Sequence, residues 1–129
     1  MTRSDNLVKN STLNEAIGKF FVLNKKNNNY LQGWMTIERT LKQFKKDIVE
    51  EIEYEWDSEK IFIENYNLFY IDLNDNILKE IRDDKTLSTI RRFSKLFIVL
   101  LDKNLLFSTI RDIPLLDEWY HKNLINYES

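Results

Sequence analysis

Cysteine is absent from the 129 residues, which removes disulfides, thiol nucleophiles, iron–sulfur clusters and cysteine zinc sites together. There are two glycines, Gly18 and Gly33, so no glycine-rich loop can cradle a phosphate. Proline occurs once, at Pro114, and alanine once, at Ala16. The longest unbroken apolar run is Leu96-Phe97-Ile98-Val99-Leu100-Leu101, far short of a membrane span, and it reads as a buried helix segment. Met1 to Ser11 is polar and lacks the apolar stretch of a secretory leader. A cytoplasmic, reducing setting is therefore expected, with no membrane partner.

Lys, Asn and Ile are heavily used where Ala, Pro and Gly are scarce. That bias is the mark of an AT-rich genome, as in a phage, mobile element, organelle or low-GC bacterium. It reduces the functional weight of any one Asn or Lys.

What is present suits a globular chain. Hydrophobic residues make up 43% and charged residues 31%, and eight Phe, six Tyr and three Trp can fill a core economically. The length allows one core and not two comfortable ones, so residues 1–129 read as one domain with residues 1–11 as a flexible arm.

Thr12-x-x-Glu15 has the form of a capping box, predicting a helix over Leu13 to Leu23 with Ile17, Phe20 and Phe21 inward. Lys25 to Asn29 is a polar loop. Ile37, Leu41, Phe44, Ile48 and Ile52 recur at spacings of three and four, which predicts a second helix. From Glu51 to Asp57 acidic and apolar residues alternate strictly, and the period predicts a strand. Lys60–Glu64 and Leu68–Leu73 are β-branched and aromatic runs that complete an antiparallel meander. Ile77–Arg82 reads as one or two helical turns, and Leu87, Ile90, Phe93, Phe97, Leu100 and Leu101 as the stripe of a long helix. Pro114, following Asp112, suits the first position of a last helix with Leu115, Leu116, Trp119 and Leu124 inward. The expected class is α+β: a small three-stranded antiparallel meander packed against three to four helices.

The formal charge of −2 conceals a division along the chain. Residues 1–46 carry a net +6, residues 47–84 a net −10 and residues 85–129 a net +2. On the strand reading, Glu51, Glu53, Glu55 and Asp57 share one face, with Tyr54 and Trp56 on the other. Such a row is either a charged edge that resists aggregation or a surface that attracts a basic partner. Tyr54 and Trp56 are residue types that anchor interfaces.

Constellations for chemistry are weak. His121, the single histidine, lies four residues after Asp117 and could share a helix face with it. Ser88 or Ser108 would have to complete a triad, and neither sits in a nucleophile elbow. Asp72-x-Asn74-x-Asn76 opens like a calcium loop, but Ile77 stands where such a loop needs glycine. Basic clusters at Lys42, Lys45, Lys46 and at Arg91, Arg92, Lys95 are short, and Asp117 and Glu118 disfavour a DNA-recognition helix over residues 108–124.

No catalytic, metal or cofactor role is expected. The expected function is a non-enzymatic protein-binding module, an inhibitor or immunity-type protein occluding a basic partner with Glu51, Glu53, Glu55, Asp57, Tyr54 and Trp56. A structural or assembly subunit of a phage or organellar complex is the alternative, and a small nucleic-acid-associated regulator comes third.

Overall fold

A computed structural model describes residues 16–24, 29–55, 62–93, 95–107 and 109–127. The arm over residues 1–11 and the capping box at Thr12 and Glu15 lie outside them.

Five strands form one mixed sheet: β1 (Ile17–Asn24), β2 (Asn29–Thr36), β3 (Tyr66–Asp72), β4 (Ile77–Glu80) and β5 (Phe97–Asp102). Their order is β2-β1-β5-β3-β4. β1 and β2 make an antiparallel hairpin, as do β3 and β4. β5 enters between the hairpins, parallel to β1 and antiparallel to β3. The described residues contain three α-helices: α1 (Leu41–Glu55), α2 (Asp84–Ile90) and α3 (Pro114–Tyr127). Two hairpins flanking a last strand parallel to the first, with a helix crossing one face, make a β-grasp arrangement. The class is α+β, and the expected three-stranded meander is replaced by this five-stranded mixed sheet.

Both faces of the sheet are covered. Phe20, Val22, Ile98 and Leu100 point to one side, where they pack with Phe44, Ile48 and Ile52 of α1 and Leu87 and Ile90 of α2. Phe21, Leu23, Phe97, Val99 and Leu101 point to the other, against Leu116, Trp119 and Tyr120 of α3. Each fully buried aliphatic or aromatic side chain contributes about 1.5–3 kcal/mol.

The two-sided cover explains two departures from the sequence reading. Leu96–Leu101 is buried throughout, and from Phe97 on it belongs to the central strand, not to a helix. A strand between two helical layers needs apolar side chains on both faces, so it shows a continuous run and no alternation. Residues 17–24 form β1 for the same reason, and not the helix predicted over Leu13–Leu23. The long helix expected after Asp84 accordingly stops at Ile90, leaving Phe97, Leu100 and Leu101 to β5.

Ile77–Glu80 is β4 and not helical turns, because the Leu73–Asn76 turn folds it back on β3 with Asp72 opposite Ile77. Asn76 adopts the left-handed conformation there, at φ 58°, which Asn tolerates better than most residues. Ile63–Asn65 is a 3-10 turn rather than strand, and Lys60 and Ile61 lie outside the described residues. α3 begins at Pro114 as expected, burying Leu116 and Trp119 and half-burying Leu115 and Leu124.

Candidate protein-binding surface

α1 decides where the acidic residues point. Phe44, Ile48 and Ile52 stand four residues apart and all bury against the sheet. That stripe carries the helix to Glu55, so residues 51–55 of the predicted strand are helical. Glu51 and Glu53 therefore do not share the face that a strand would give them. On a helix, residues two apart such as these lie on different faces. Tyr54 projects into water, 81% exposed. Trp56 and Asp57 lie outside the described residues.

The exposed side of this half-helix is instead Glu50, Glu51 and Tyr54, with Glu53 half-buried beside them. The sequence reading missed Glu50 because it has no place in the alternation, whereas its spacing of four from Tyr54 places it here. Asp47, one turn earlier, accepts a hydrogen bond from Gln43 Nε2 at 2.7 Å.

Charge along α1 opposes its dipole. Lys42, Lys45 and Lys46 occupy the first half, whereas Glu50, Glu51, Glu53 and Glu55 occupy the second. The first turn has no acid and the last turn no base. Carboxylates near a helix C-terminus lie beside the negative end of the macrodipole, at a cost of about 0.3–1 kcal/mol each. Among the described residues no Lys or Arg pairs with Glu50, Glu51 or Glu53. Glu50 and Glu51 are exposed, without an ion-paired lysine or arginine among the described residues.

The later acids of the −10 segment are handled differently. Lys79 Nζ reaches Asp72 at 2.6 Å and Asp75 at 3.8 Å across the β3–β4 hairpin. The hydrogen bond from Lys79 holds the Asp72 carboxyl below its usual range, and Asp72 in turn raises Lys79. Arg82 Nε donates to Glu80 at 3.0 Å. Asp83 caps α2 by accepting from the Thr86 backbone N–H at 2.9 Å and hydroxyl at 2.8 Å, and the backbone bond foremost lowers its pKa. Asp84 accepts from the Leu41 N–H at 2.7 Å, tying α2 to the start of α1. Of this group only Glu64, exposed in the 3-10 turn, has no partner among the described residues.

His121 and Asp117 do come together, on α3, at the edge of a cleft of about 300 Å³ lined also by Asn76, Thr109, Arg111 and Tyr120. His121 Nδ1 lies 2.9 Å from the Asp117 carbonyl and 3.2 Å from its Oδ1. The Tyr120 hydroxyl, its pKa raised by burial, donates to Asn76 Oδ1 at 2.6 Å. The Thr109 hydroxyl beside them is spent as a cap, accepting from the Arg111 N–H at 3.2 Å. Ser88 sits on α2, across the sheet from α3, and Ser108 lies outside the described residues. The triad weighed from the sequence is thus not assembled with Ser88. Asp72, Asn74 and Asn76 form a hairpin turn, Asp72 accepting from the Asn74 N–H at 3.0 Å. Among the described residues no group of three or more His, Cys, Asp or Glu could hold a metal ion. None of their helices is long and apolar enough to cross a membrane.

The fold and surface describe an α+β domain with a mixed sheet sheathed on both faces and an unpaired acidic flank on one helix. No family model and no curated protein matches the chain. Among solved structures it is similar to the solution structure of a ubiquitin-like domain from tubulin-binding cofactor B. The two are 13% identical with a TM-score of 0.41, covering 69% of this chain and 92% of that one. Nothing about a partner follows from that likeness.

Proposed function

We propose that this chain is a non-enzymatic protein-binding module that engages a basic partner through the acidic flank of α1. Glu50, Glu51 and Glu53 supply the charge and Tyr54 a ring for contact. Glu55, Trp56 and Asp57 continue the same stretch of chain. The supporting observation is the charge order of α1: carboxylates occupy the half nearer the negative end of the helix dipole, and no lysine or arginine of the described chain forms an ion pair with Glu50, Glu51 or Glu53. Such a field raises the encounter rate with a cationic surface and falls off with salt. Bound there, the domain would cover its partner's basic surface, and inhibition by occlusion, as in an immunity protein, is the finer form of the reading.

The test uses a panel of purified basic proteins, with a basic nuclease and a lysine-rich histone among them, titrated with the full chain at low and high salt. Glu50→Lys and Glu51→Lys, singly and together, are compared with Glu118→Lys on α3, across the sheet. Binding that weakens tenfold or more in the α1 variants and hardly at all in Glu118→Lys supports the reading. No binding at low salt, or equal losses from both helices, removes it.

A further inference from the structure

The outward side of α1 carries more than its acidic flank. Lys42, Lys46, Glu50 and Tyr54 recur at a spacing of four and are all exposed. They form one row along the helix, on the side away from the buried Phe44, Ile48 and Ile52. From Lys42 to Tyr54 the row spans about 18 Å, at a helical rise of roughly 1.5 Å per residue. Its order is basic, basic, acidic, aromatic. Lys46 and Glu50 are spaced to pair within the helix, yet no ion pair or side-chain hydrogen bond joins any of the four to another described residue.

This order is unfavourable to the helix from both ends. The lysines lie toward its positive N-terminal end and Glu50 toward its negative C-terminal end. A uniformly basic partner would relieve Glu50 but meet Lys42 and Lys46 as like charges. A second α1 laid antiparallel relieves both, because its negative end lies beside the lysines and its positive end beside the glutamate. The row is complementary to its own reverse.

We infer that the outer face of α1 is a self-association surface, on which two copies of the chain pair their α1 helices antiparallel about a two-fold axis. The pairing rests on the reading of α1 as a binding face, and it identifies that face's basic partner as the lysine half of a second copy. An axis at the level of Ile48 sets each residue of the row opposite the one equally far on the other side. Lys46 then faces Glu50 of the second copy, and Lys42 faces its Tyr54. Symmetry repeats each contact, giving two ion pairs and two lysines set over aromatic rings. Rows spaced by four bring the two helices together at a crossing of about 50°. Asp47 and Glu51 lie on the neighbouring row, beside the line of contact. Pairs between exposed charges are individually weak, so the dimer belongs to high concentration and low salt. A dilute chain is the monomer, with its α1 charges unrelieved.

The experiment is sedimentation velocity of the full chain at low salt, from dilute solution into the millimolar range. Wild type, Lys46→Glu, Glu50→Lys and an equimolar mixture of the two variants are compared. Wild type is expected in a monomer–dimer equilibrium that moves toward monomer as salt is added. Each variant alone brings like charges together at both symmetry-related contacts and should raise the dissociation constant about tenfold or more. Mixed, the two variants restore opposite charges at both contacts and should dimerise about as tightly as wild type. Both positions are exposed, so circular dichroism should show the wild-type fold, and Lys46→Gln and Glu50→Gln serve where a reversal does not fold. A wild-type chain that stays monomeric throughout overturns the inference. So do folded variants that dimerise as well as wild type, or a mixture no tighter than either variant alone. Lys46→Glu leaves the acidic flank whole, so it should lose the dimer and still capture the basic proteins that wild type captures. Capture without any dimer removes this inference alone, and a dimer without capture supports it while removing the foreign partner.

Discussion

The acidic segment holds two regions of similar charge and opposite construction. In the hairpin and α2, carboxylates at Asp72, Asp75, Glu80, Asp83 and Asp84 each meet a donor of the same chain, whether lysine, arginine or backbone N–H. In the second half of α1, Glu50, Glu51 and Glu53 meet none among the described residues, and the helix dipole opposes them. A count of charge along the chain treats the two alike. Geometry separates acids that help build the fold from acids that have no partner within it, and the proposed binding surface is drawn from the second kind.

The comparison depends on residues 51–55 being helical, and the largest effect tests that. Ile52→Ala should cost about 2–5 kcal/mol in denaturant unfolding, because Ile52 is fully buried in the α1 layer. Tyr54→Ala should change stability by no more than about 0.5 kcal/mol, since the ring is exposed. A strand would put both on one face, so comparable losses would reject the helical placement.

Asp83 is next in size and belongs to the built region. Asp83→Ala should lower the melting temperature near neutral pH, whereas Asp83→Asn should keep much of the cap. The sign with pH is fixed by its lowered pKa. The carboxylate's contribution is present above the ordinary aspartate range and is lost as pH falls through the depressed folded value. Wild type and Asp83→Ala should therefore converge in stability at strongly acid pH. A gap that persists there would assign the loss to something other than the ionised cap.

Lys79 and Asp72 should give a smaller and two-sided effect. The lowered Asp72 pKa makes the pair's contribution fade in acid, and the raised Lys79 pKa makes it fade in alkali. Lys79→Met should flatten both limbs of the stability profile while changing the neutral plateau little, since an exposed pair is screened by water. A variant profile that parallels wild type at both ends would dissolve the distinction between the two acidic regions.

How much of this was legible in the sequence depended on burial geometry. α1 and α3 were readable because one buried face imposes the 3.6-residue period, and Pro114 marked where α3 starts. β1 and β5 were not, because burial on both faces erases the alternation that announces a strand, and short apolar runs then fit a helix equally well. β2 escaped notice, since Gln32 and Gly33 interrupt any apolar rhythm and its pairing is set by β1. For the surface, the concentration of acid was visible but its direction was not. Alternation over 51–57 was coincidental, and Ile52, completing the spacing from Phe44 and Ile48, outweighed it through burial.

The smallest effect is the most discriminating. Glu50→Gln and Glu51→Gln each remove a charge near the negative end of the α1 dipole, with no ion pair to lose. Each should raise stability by about 0.3 kcal/mol, more at low salt than at high. In the hairpin the equivalent change, Asp72→Asn, should lower it, because there the charge has a partner. Residues that cost stability where they stand are expected at functional sites, so the same two glutamine variants should weaken capture of a basic protein while melting higher. Variants that melt lower would mean the carboxylates are held by the fold after all. The acidic half of α1 would then belong with the hairpin, as structure rather than surface.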